Sequence, residues 1–517
     1  MIVNAMRDFL ISLYERSQHP CMGYFLSKVF VYEHDNSHIV DHDSSTLELS
    51  KFILSESDIL PKCLESLLHH SSLEKYTKDV VDLNGLPLLM EIQHRYKDDI
   101  NITVKLSQVL SFLSFNRNLL QPMHKSGWVG VLSEWINHED IRVSIPASRA
   151  LANLDLDSNS VYSRQLYLLH PITRTTEEQE VDVVFVHGLL GGVFYTWRQR
   201  NKGPNIMKLL EAIVPDVDPE LEVQELEEKK SVSFFFGNDK KAKEPTIQRD
   251  FEIVWDDIPT NTSINAEGPY TSPGANCRIK NETNCFYSQC WPRDWLAEDC
   301  PKIRILGINY NTSLSMWAPI CPAEKSKLTL DERGDELLEK LLQAGVGSKP
   351  IVWVTHSMGG LIVKNMLCKA YENDNSVIKN VCLNTKGIVF YSTPHNGSRI
   401  ANLSHATTLL LWPSVEVQEL RQNSPQLKKI HAKFLEIVNK VPMKIITFVE
   451  TKSTVVTAMK FNFLLVEPDS GNPGVGEYYE VPQDHLGICK PLTKYSFLYQ
   501  KVLWMLKRIV DDVCSNN

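Results

Sequence analysis

The spacing of hydrophobic positions along this 517-residue chain changes near residue 157. Before that point apolar residues recur at helical intervals, as in Leu106, Val109, Leu110 and Leu113, and no run has the texture of a strand. The pattern predicts an all-α domain over residues 1–160. Part of it repeats: Asp99-Ile100 through Leu113 to Asn116 lines up with Asp140-Ile141 through Leu154 to Asp157 at an offset of 41 residues, and Gly85-Leu86 lines up with Gly127-Trp128 at 42. That period is the mark of helical solenoids built from two or three helices per unit, with an irregular helical domain as the alternative.

After Asp157 a polar stretch, Thr173 to Glu180, gives way to the β-type run Val181-Asp-Val-Val-Phe-Val186. The domain boundary is expected within 158–180. Short apolar runs then alternate with helical patterns: Val183–Val186, Arg304–Ile308, Ile351–Val354, Gly387–Tyr391, Lys444–Val449 and Phe463–Val466. This alternation predicts an α/β domain over 175–512, a mostly parallel sheet with helices on both faces. Residues 216–290 break the rhythm with the charge runs Glu225–Lys230 and Asp239–Lys243, and read as a long insertion with a solvated surface.

Composition narrows the function classes. Lys and Arg number 54 against 63 Asp and Glu, a formal charge of −9, which argues against a nucleic-acid partner and against an anionic-membrane surface spread over the whole chain. No run of 18 apolar residues occurs and Met1 to Ser17 lacks a cleavage site, so neither a transmembrane segment nor a secretory signal is expected. An intracellular location and peripheral membrane contact follow. The first residues read like a helix entered midway, which hints at a longer form with a targeting segment. Eleven cysteines without a signal peptide suit a reducing compartment. Five of them, Cys277, Cys285, Cys290, Cys300 and Cys321, crowd together without a C-x-x-C pair, so buried thiols are expected there rather than a metal site.

The chemistry concentrates in Ile351-Val-Trp-Val-Thr-His-Ser-Met-Gly-Gly360. A buried strand, a turn at Ser357 and an apolar helix opened by Gly359-Gly360 form the strand-turn-helix context of a nucleophile elbow, although Thr355 stands where G-x-S-x-G has its first glycine. Upstream, the first buried strand ends in Val186-His-Gly-Leu-Leu-Gly-Gly192, and the backbone N–H groups of Leu189 and Met358 are the expected oxyanion pair. In the chain order serine, acid, histidine, only His485 follows the last predicted strand in a loop, which makes it the expected base. Glu450, ending the run Lys444–Val449, is the preferred acid, with Asp469 as rival and Asp484 too close to His485 to serve. His187, Gly188, His356, Gly359 and His395 complete the motif set, with His395 expected at the pocket mouth. Leu409-Leu-Leu-Trp412 reads equally well as a lid, an acyl-chain wall or plain core. Such a site needs no metal or cofactor.

The motifs His187-Gly-Leu-Leu-Gly191, Trp291-Pro-Arg-Asp-Trp295-Leu, Thr355-His-Ser-Met-Gly-Gly360, Thr393-Pro-His-Asn-Gly397 and Asp484-His-Leu-Gly-Ile-Cys-Lys-Pro491 together resemble the serine-active-site-containing protein 1 family, relatives of the GPI inositol-deacylase group of lipase-like α/β-hydrolases. The resemblance covers about 180–510, and Ala147-Ser-Arg-Ala-Leu-Ala-Asn-Leu154 resembles the last helix of an armadillo repeat. It implies an α/β-hydrolase fold preceded by an armadillo-like domain, a phospholipid substrate, and acyl-chain remodelling of phosphatidylglycerol where mitochondria and endoplasmic reticulum meet. Family members usually carry a hydrophobic N-terminal segment that these residues lack. Three readings follow: a serine hydrolase or transacylase acting on a lipid ester, a hydrolase acting on a non-lipid ester or amide, or a silent hydrolase fold whose helical repeats bind a protein partner.

Overall fold

The computed structural model describes residues 2–29, 56–189, 191–200, 257, 259–261, 287–312, 321, 328–398, 415–456 and 461–516. Nine helices among them precede the sheet: α1 (Ile2–Ser17), α2 (Pro20–Val29), α3 (Glu56–Ser71), α4 (Glu74–Asp82), α5 (Gly85–Arg95), α6 (Ile100–Leu113), α7 (Leu120–Lys125), α8 (Trp128–Trp135) and α9 (Ile141–Leu154). They enclose one core that includes Leu10, Leu64, Leu106, Leu110, Trp128 and Ala147.

The internal sequence echo has a local cause. Asp99 caps α6 by accepting from the Asn101 and Ile102 N–H groups, and Asp140 caps α9 by accepting from Arg142 N–H, so each Asp-Ile pair is a helix start. Trp128 Nε1 donates to Leu86 O at 3.3 Å, which joins the other repeated pair directly. From α9 the buried Arg149 donates to Arg164 O at 2.7 Å, and Asn153 exchanges two hydrogen bonds with the Tyr162 backbone. These contacts anchor the helices to the chain that enters the sheet.

That sheet has seven strands: β1 (Leu166–His170), β2 (Val181–Val186), β3 (Ile303–Ile308), β4 (Ile351–His356), β5 (Thr385–Tyr391), β6 (Lys444–Glu450) and β9 (Glu477–Val481), in the order β1-β3-β2-β4-β5-β6-β9. All neighbours are parallel except β1, which runs antiparallel to β3. This order, with apolar layers on both faces of the sheet, is the α/β-hydrolase fold.

The structure departs from expectation at four places. β1 lies upstream of the expected domain start at 175, because the five-residue run Leu166–His170 is short and sits next to a helical region. Phe463–Val466 contributes no sheet strand; β8 (Phe461–Phe463) pairs instead with β7 (Thr454–Val456) as a separate hairpin. The last sheet strand is β9, whose sequence Glu-Tyr-Tyr-Glu-Val suits an edge with one partly wet face. Of the predicted insertion, Thr260 N–H donates to Glu480 O and Glu480 N–H to Asn261 Oδ1, so this short piece lies along the β9 edge. Most of 216–290 falls outside the described residues, as does Leu409–Trp412.

At the amino ends of the strands, Asp182 on β2 faces Arg304 on β3 in register and accepts two hydrogen bonds of 2.7 Å. Asp182 is 0% exposed. Arg304→Met is expected to destabilise the protein by about 3–5 kcal/mol, because it leaves a buried carboxylate uncompensated. Asp182→Leu combined with Arg304→Met should recover most of the loss. Urea unfolding of the single and double variants checks this, and equal losses in both would contradict it.

Candidate active site

Because the strands are parallel, β2, β4, β6 and β9 deliver His187, Ser357, Glu450 and His485 to one edge of the sheet, the carboxyl end. Ser357 sits between β4 and the elbow helix, Met358–Glu372, at φ 53° and ψ −126°. A non-glycine residue holds that conformation only where its surroundings over-determine it. Here Ser357 N–H donates to Tyr391 O at 2.8 Å, and Gly360 N–H donates back to Ser357 O at 3.1 Å.

Glycine is required beside the turn for close approach. A Cβ on Gly359 would stand 2.5 Å from His187 O and 2.6 Å from Val186 O, and one on Gly188 would stand 2.5 Å from the Ser357 Cβ. Thr355 replaces the first glycine of the elbow without a clash because its hydroxyl turns toward β5 and donates to Val389 O at 2.9 Å.

Glu450 is the last residue of β6 and 0% exposed. Its Oε1 accepts from Val466 N–H at 2.9 Å, and its Oε2 pairs with His485 Nδ1 at 2.7 Å. His485 is fixed at two further points: its N–H donates to Thr454 Oγ1 at 3.0 Å, and its carbonyl accepts from His356 Nε2 at 2.8 Å. Ser357 and His485 share no hydrogen bond in this structure. His356, next to the serine in sequence, is what ties the elbow to the His485 loop. Asp484 Oδ1 accepts from Gly487 N–H at 2.7 Å within its own turn, and the backbone carbonyl of Asp469 accepts from Asn396 Nδ2.

Leu189 and Met358 flank the same turn. Met358 N–H opens the elbow helix, where no intrahelical acceptor exists, and neither it nor Leu189 N–H has a hydrogen-bond acceptor among the described residues. The loop carrying Leu189 is braced by His187, which is 0% exposed. His187 Nδ1–H donates to Gly188 O at 2.8 Å, its Nε2 accepts from Tyr310 N–H at 3.2 Å, and the Tyr310 ring stacks on it at 4.2 Å. Tyr310 had no signal in the sequence, since it meets His187 only through the pairing of β2 with β3.

His395, expected at the pocket mouth, is instead 0% exposed, which removes it from any open rim. Its Nδ1 lies 3.1 Å from Lys364 Nζ, and the same ammonium reaches His431 Nδ1 at 2.7 Å. Burial lowers the pKa of Lys364 to about 7. This buried cluster packs against the elbow helix through Lys364.

Burial also lowers the pKa of His187 to about 4 and holds His356 and His395 well below their usual 6.5. An unfolded chain takes up these protons from pH 6.5 downward while the folded chain refuses them. Stability is therefore complete above pH 6.5 and falls on acidification toward pH 4, at up to about 1.4 kcal/mol per pH unit for each such histidine. The urea midpoint is expected to drop between pH 7 and pH 5, and a flat profile would contradict the neutral assignment.

Comparisons with known proteins follow the same lines. No family model matches the chain. It is 34% identical over 446 residues to Protein SERAC1 of Danio rerio, 35% over 448 residues to that of Bos taurus and 33% over 446 residues to that of Homo sapiens, each match covering 86% of this chain. The chain spans 57% of the length of these relatives. Among solved structures, mature Bacillus licheniformis lipase BlEst2 aligns with 65% of this chain and 97% of its own at 12% identity and a TM-score of 0.35. Phospholipase PlaB from Legionella pneumophila, in complex with thio-NAD, aligns with 57% of this chain and 44% of its own at 12% identity and a TM-score of 0.26. Along 86% of its length this chain is similar to Protein SERAC1, at 33–35% identity.

Proposed function

We propose that the protein is a serine hydrolase or transacylase acting on a lipid ester, with Ser357 as nucleophile, His485 as base and Glu450 as the acid that orients it. The observation that carries this reading is the buried 2.7 Å pair of Glu450 and His485 beside an elbow that holds Ser357 at a strained φ of 53°. As the acyl carbonyl approaches, Ser357 Oγ attacks the carbon and passes its proton to His485 Nε2. Glu450 holds the imidazolium through Nδ1–H. The negative charge that develops on the substrate oxygen falls between Leu189 N–H and Met358 N–H, which supply the two donors of an oxyanion hole. Collapse of the tetrahedral intermediate returns the proton from His485 to the leaving alcohol and leaves an acyl group on Ser357. Water or a second lipid alcohol then takes that acyl group with His485 again acting as base.

A phospholipid substrate, with phosphatidylglycerol remodelling at contacts between mitochondria and endoplasmic reticulum, is the extension that the family resemblance suggests. A local feature agrees with an anionic head group. Tyr195, 46% exposed just beyond the glycine-rich loop, carries Arg198 and Lys490 against its ring at 4.9 and 4.5 Å. The lipid contact proposed here is peripheral; among the described residues no helix is long and apolar enough to cross a membrane.

The test is covalent labelling of the purified protein with a fluorophosphonate probe. Wild type should label at Ser357, and Ser357→Ala and His485→Ala should not. A wild-type protein that stays silent both with and without detergent would overturn the enzymatic reading in favour of a scaffold.

A further inference from the structure

Four metal-ligating side chains meet far from Ser357 in sequence: His19, Cys21, His69 and Cys321, whose ligand atoms all lie within 4.8 Å of one another. His19 and Cys21 come from the corner between α1 and α2, His69 from the last turn of α3, and Cys321 from the chain that follows β3. We propose that these residues form a tetrahedral Cys₂His₂ site for a divalent zinc ion that fastens the N-terminal helices to the hydrolase domain.

The spacing of the ligand atoms argues for a shared ion. Zinc–sulfur bonds of about 2.3 Å and zinc–nitrogen bonds of about 2.0–2.1 Å in a tetrahedron place two sulfurs about 3.8 Å apart and a sulfur and a nitrogen about 3.6 Å apart. Here Cys21 Sγ lies 3.5 Å from Cys321 Sγ, and Cys321 Sγ lies 3.9 Å from His19 Nε2. The two sulfurs are too far apart for a disulfide, and neither cysteine is disulfide-bonded. His69 Nε2 is buried without a hydrogen-bond partner, as expected of a nitrogen held for a ligand. Two thiolates and two imidazoles form a closed donor set that neutralises a divalent ion and suits zinc.

Binding is a simple exchange. Each cysteine forms a sulfur–zinc bond and gives up its S–H proton to solvent, so two protons leave, and no electron is transferred. Each histidine coordinates as the neutral imidazole. Coordination through His19 Nε2 puts that ring's proton on Nδ1, so the 3.1 Å contact from Cys21 N–H to Nδ1 is given up. A staple role follows from the placement. Cys321 follows the strand that leads to Tyr310, the residue that braces the His187 loop, so the ion fixes both the helical corner and the chain leaving β3. The sequence points the other way, because the residues near Cys321 in the chain make no ligand pair and its partners lie hundreds of residues upstream.

The experiment uses the full chain, purified under reducing conditions without chelator. Elemental analysis should find about one zinc per chain. Replacement by Co²⁺ should give the thiolate-to-cobalt charge-transfer band and the strong visible bands of four-coordinate cobalt. Cys21→Ser, His69→Gln and Cys321→Ser should each lower Co²⁺ affinity by more than about 100-fold, whereas Cys514→Ser, at an exposed site, should leave it unchanged. Chelation should lower the Tm of wild type and leave that of Cys21→Ser alone. Reduced, folded wild type that gives no charge-transfer band with excess Co²⁺ overturns the proposal whatever the variants do. So does a Cys21–Cys321 disulfide in protein that, once reduced, takes up neither ion.

Discussion

Ser357→Ala is expected to lower kcat for hydrolysis of a lipid ester by about 10⁴- to 10⁶-fold while leaving the fold intact. The loss is large because the attacking oxygen is removed outright, and what remains is the stabilisation supplied by the oxyanion donors and by binding. The fold should survive because what fixes the turn is backbone: Ser357 N–H to Tyr391 O, Gly360 N–H to Ser357 O, and the close passage of Gly359 past His187 O. Alanine keeps all three. The Tm should therefore stay within a few degrees of wild type, and KM should change little. Adding His485→Ala to Ser357→Ala should cost almost nothing further, since the base has no proton left to take. Residual activity above about 1% of wild type would mean that another group attacks the ester and that the strain at Ser357 serves some other purpose.

The hydrolase sheet was legible from the sequence wherever a strand was fully buried and bounded by turn formers. Val181–Val186 and Ile351–His356 are buried at every position and are dominated by apolar residues, Val183–Val186 and Ile351–Val354 being uninterrupted. β1 and β9 were not legible. The first is a short run next to a helical region, and the second is a polar edge strand whose place is decided by its pairing with β6. His485 follows the last strand whether that strand is read at 463–466 or placed at β9, which ends even closer to its loop. Elbow residues carry their geometry locally, in small side chains next to one turn, so a linear reading finds them. Contacts made between distant segments leave no such trace: His356 with the His485 carbonyl, Tyr310 with His187, and Cys321 with the N-terminal corner all required three dimensions.

For the acid of the proposed triad the sequence offered two candidates, Glu450 and Asp469, and kinetics can tell them apart. Glu450→Gln is expected to lower kcat about 10⁴-fold, and Asp469→Asn to leave it within about two-fold. Glutamine keeps the volume of Glu450, and its carbonyl can still accept from Val466 N–H as Oε1 does. Its amide nitrogen then stands at the position of Oε2, 2.7 Å from His485 Nδ1, and donates where the carboxylate accepted. Nδ1 must now be the acceptor, the ring proton moves to Nε2, and the imidazole can no longer take the proton of Ser357. The same exchange removes the charge that stabilises the imidazolium in the transition state. Both effects act after substrate has bound, so KM should hold while kcat falls, and fluorophosphonate labelling should slow in step with kcat. Asp469 meets the site through no side-chain contact of this kind; its carbonyl holds Asn396 in the loop after β5. A larger loss from Asp469→Asn than from Glu450→Gln would mean that the working enzyme rearranges the His485 loop, exchanging the buried carboxylate at the end of β6 for the one on the neighbouring turn.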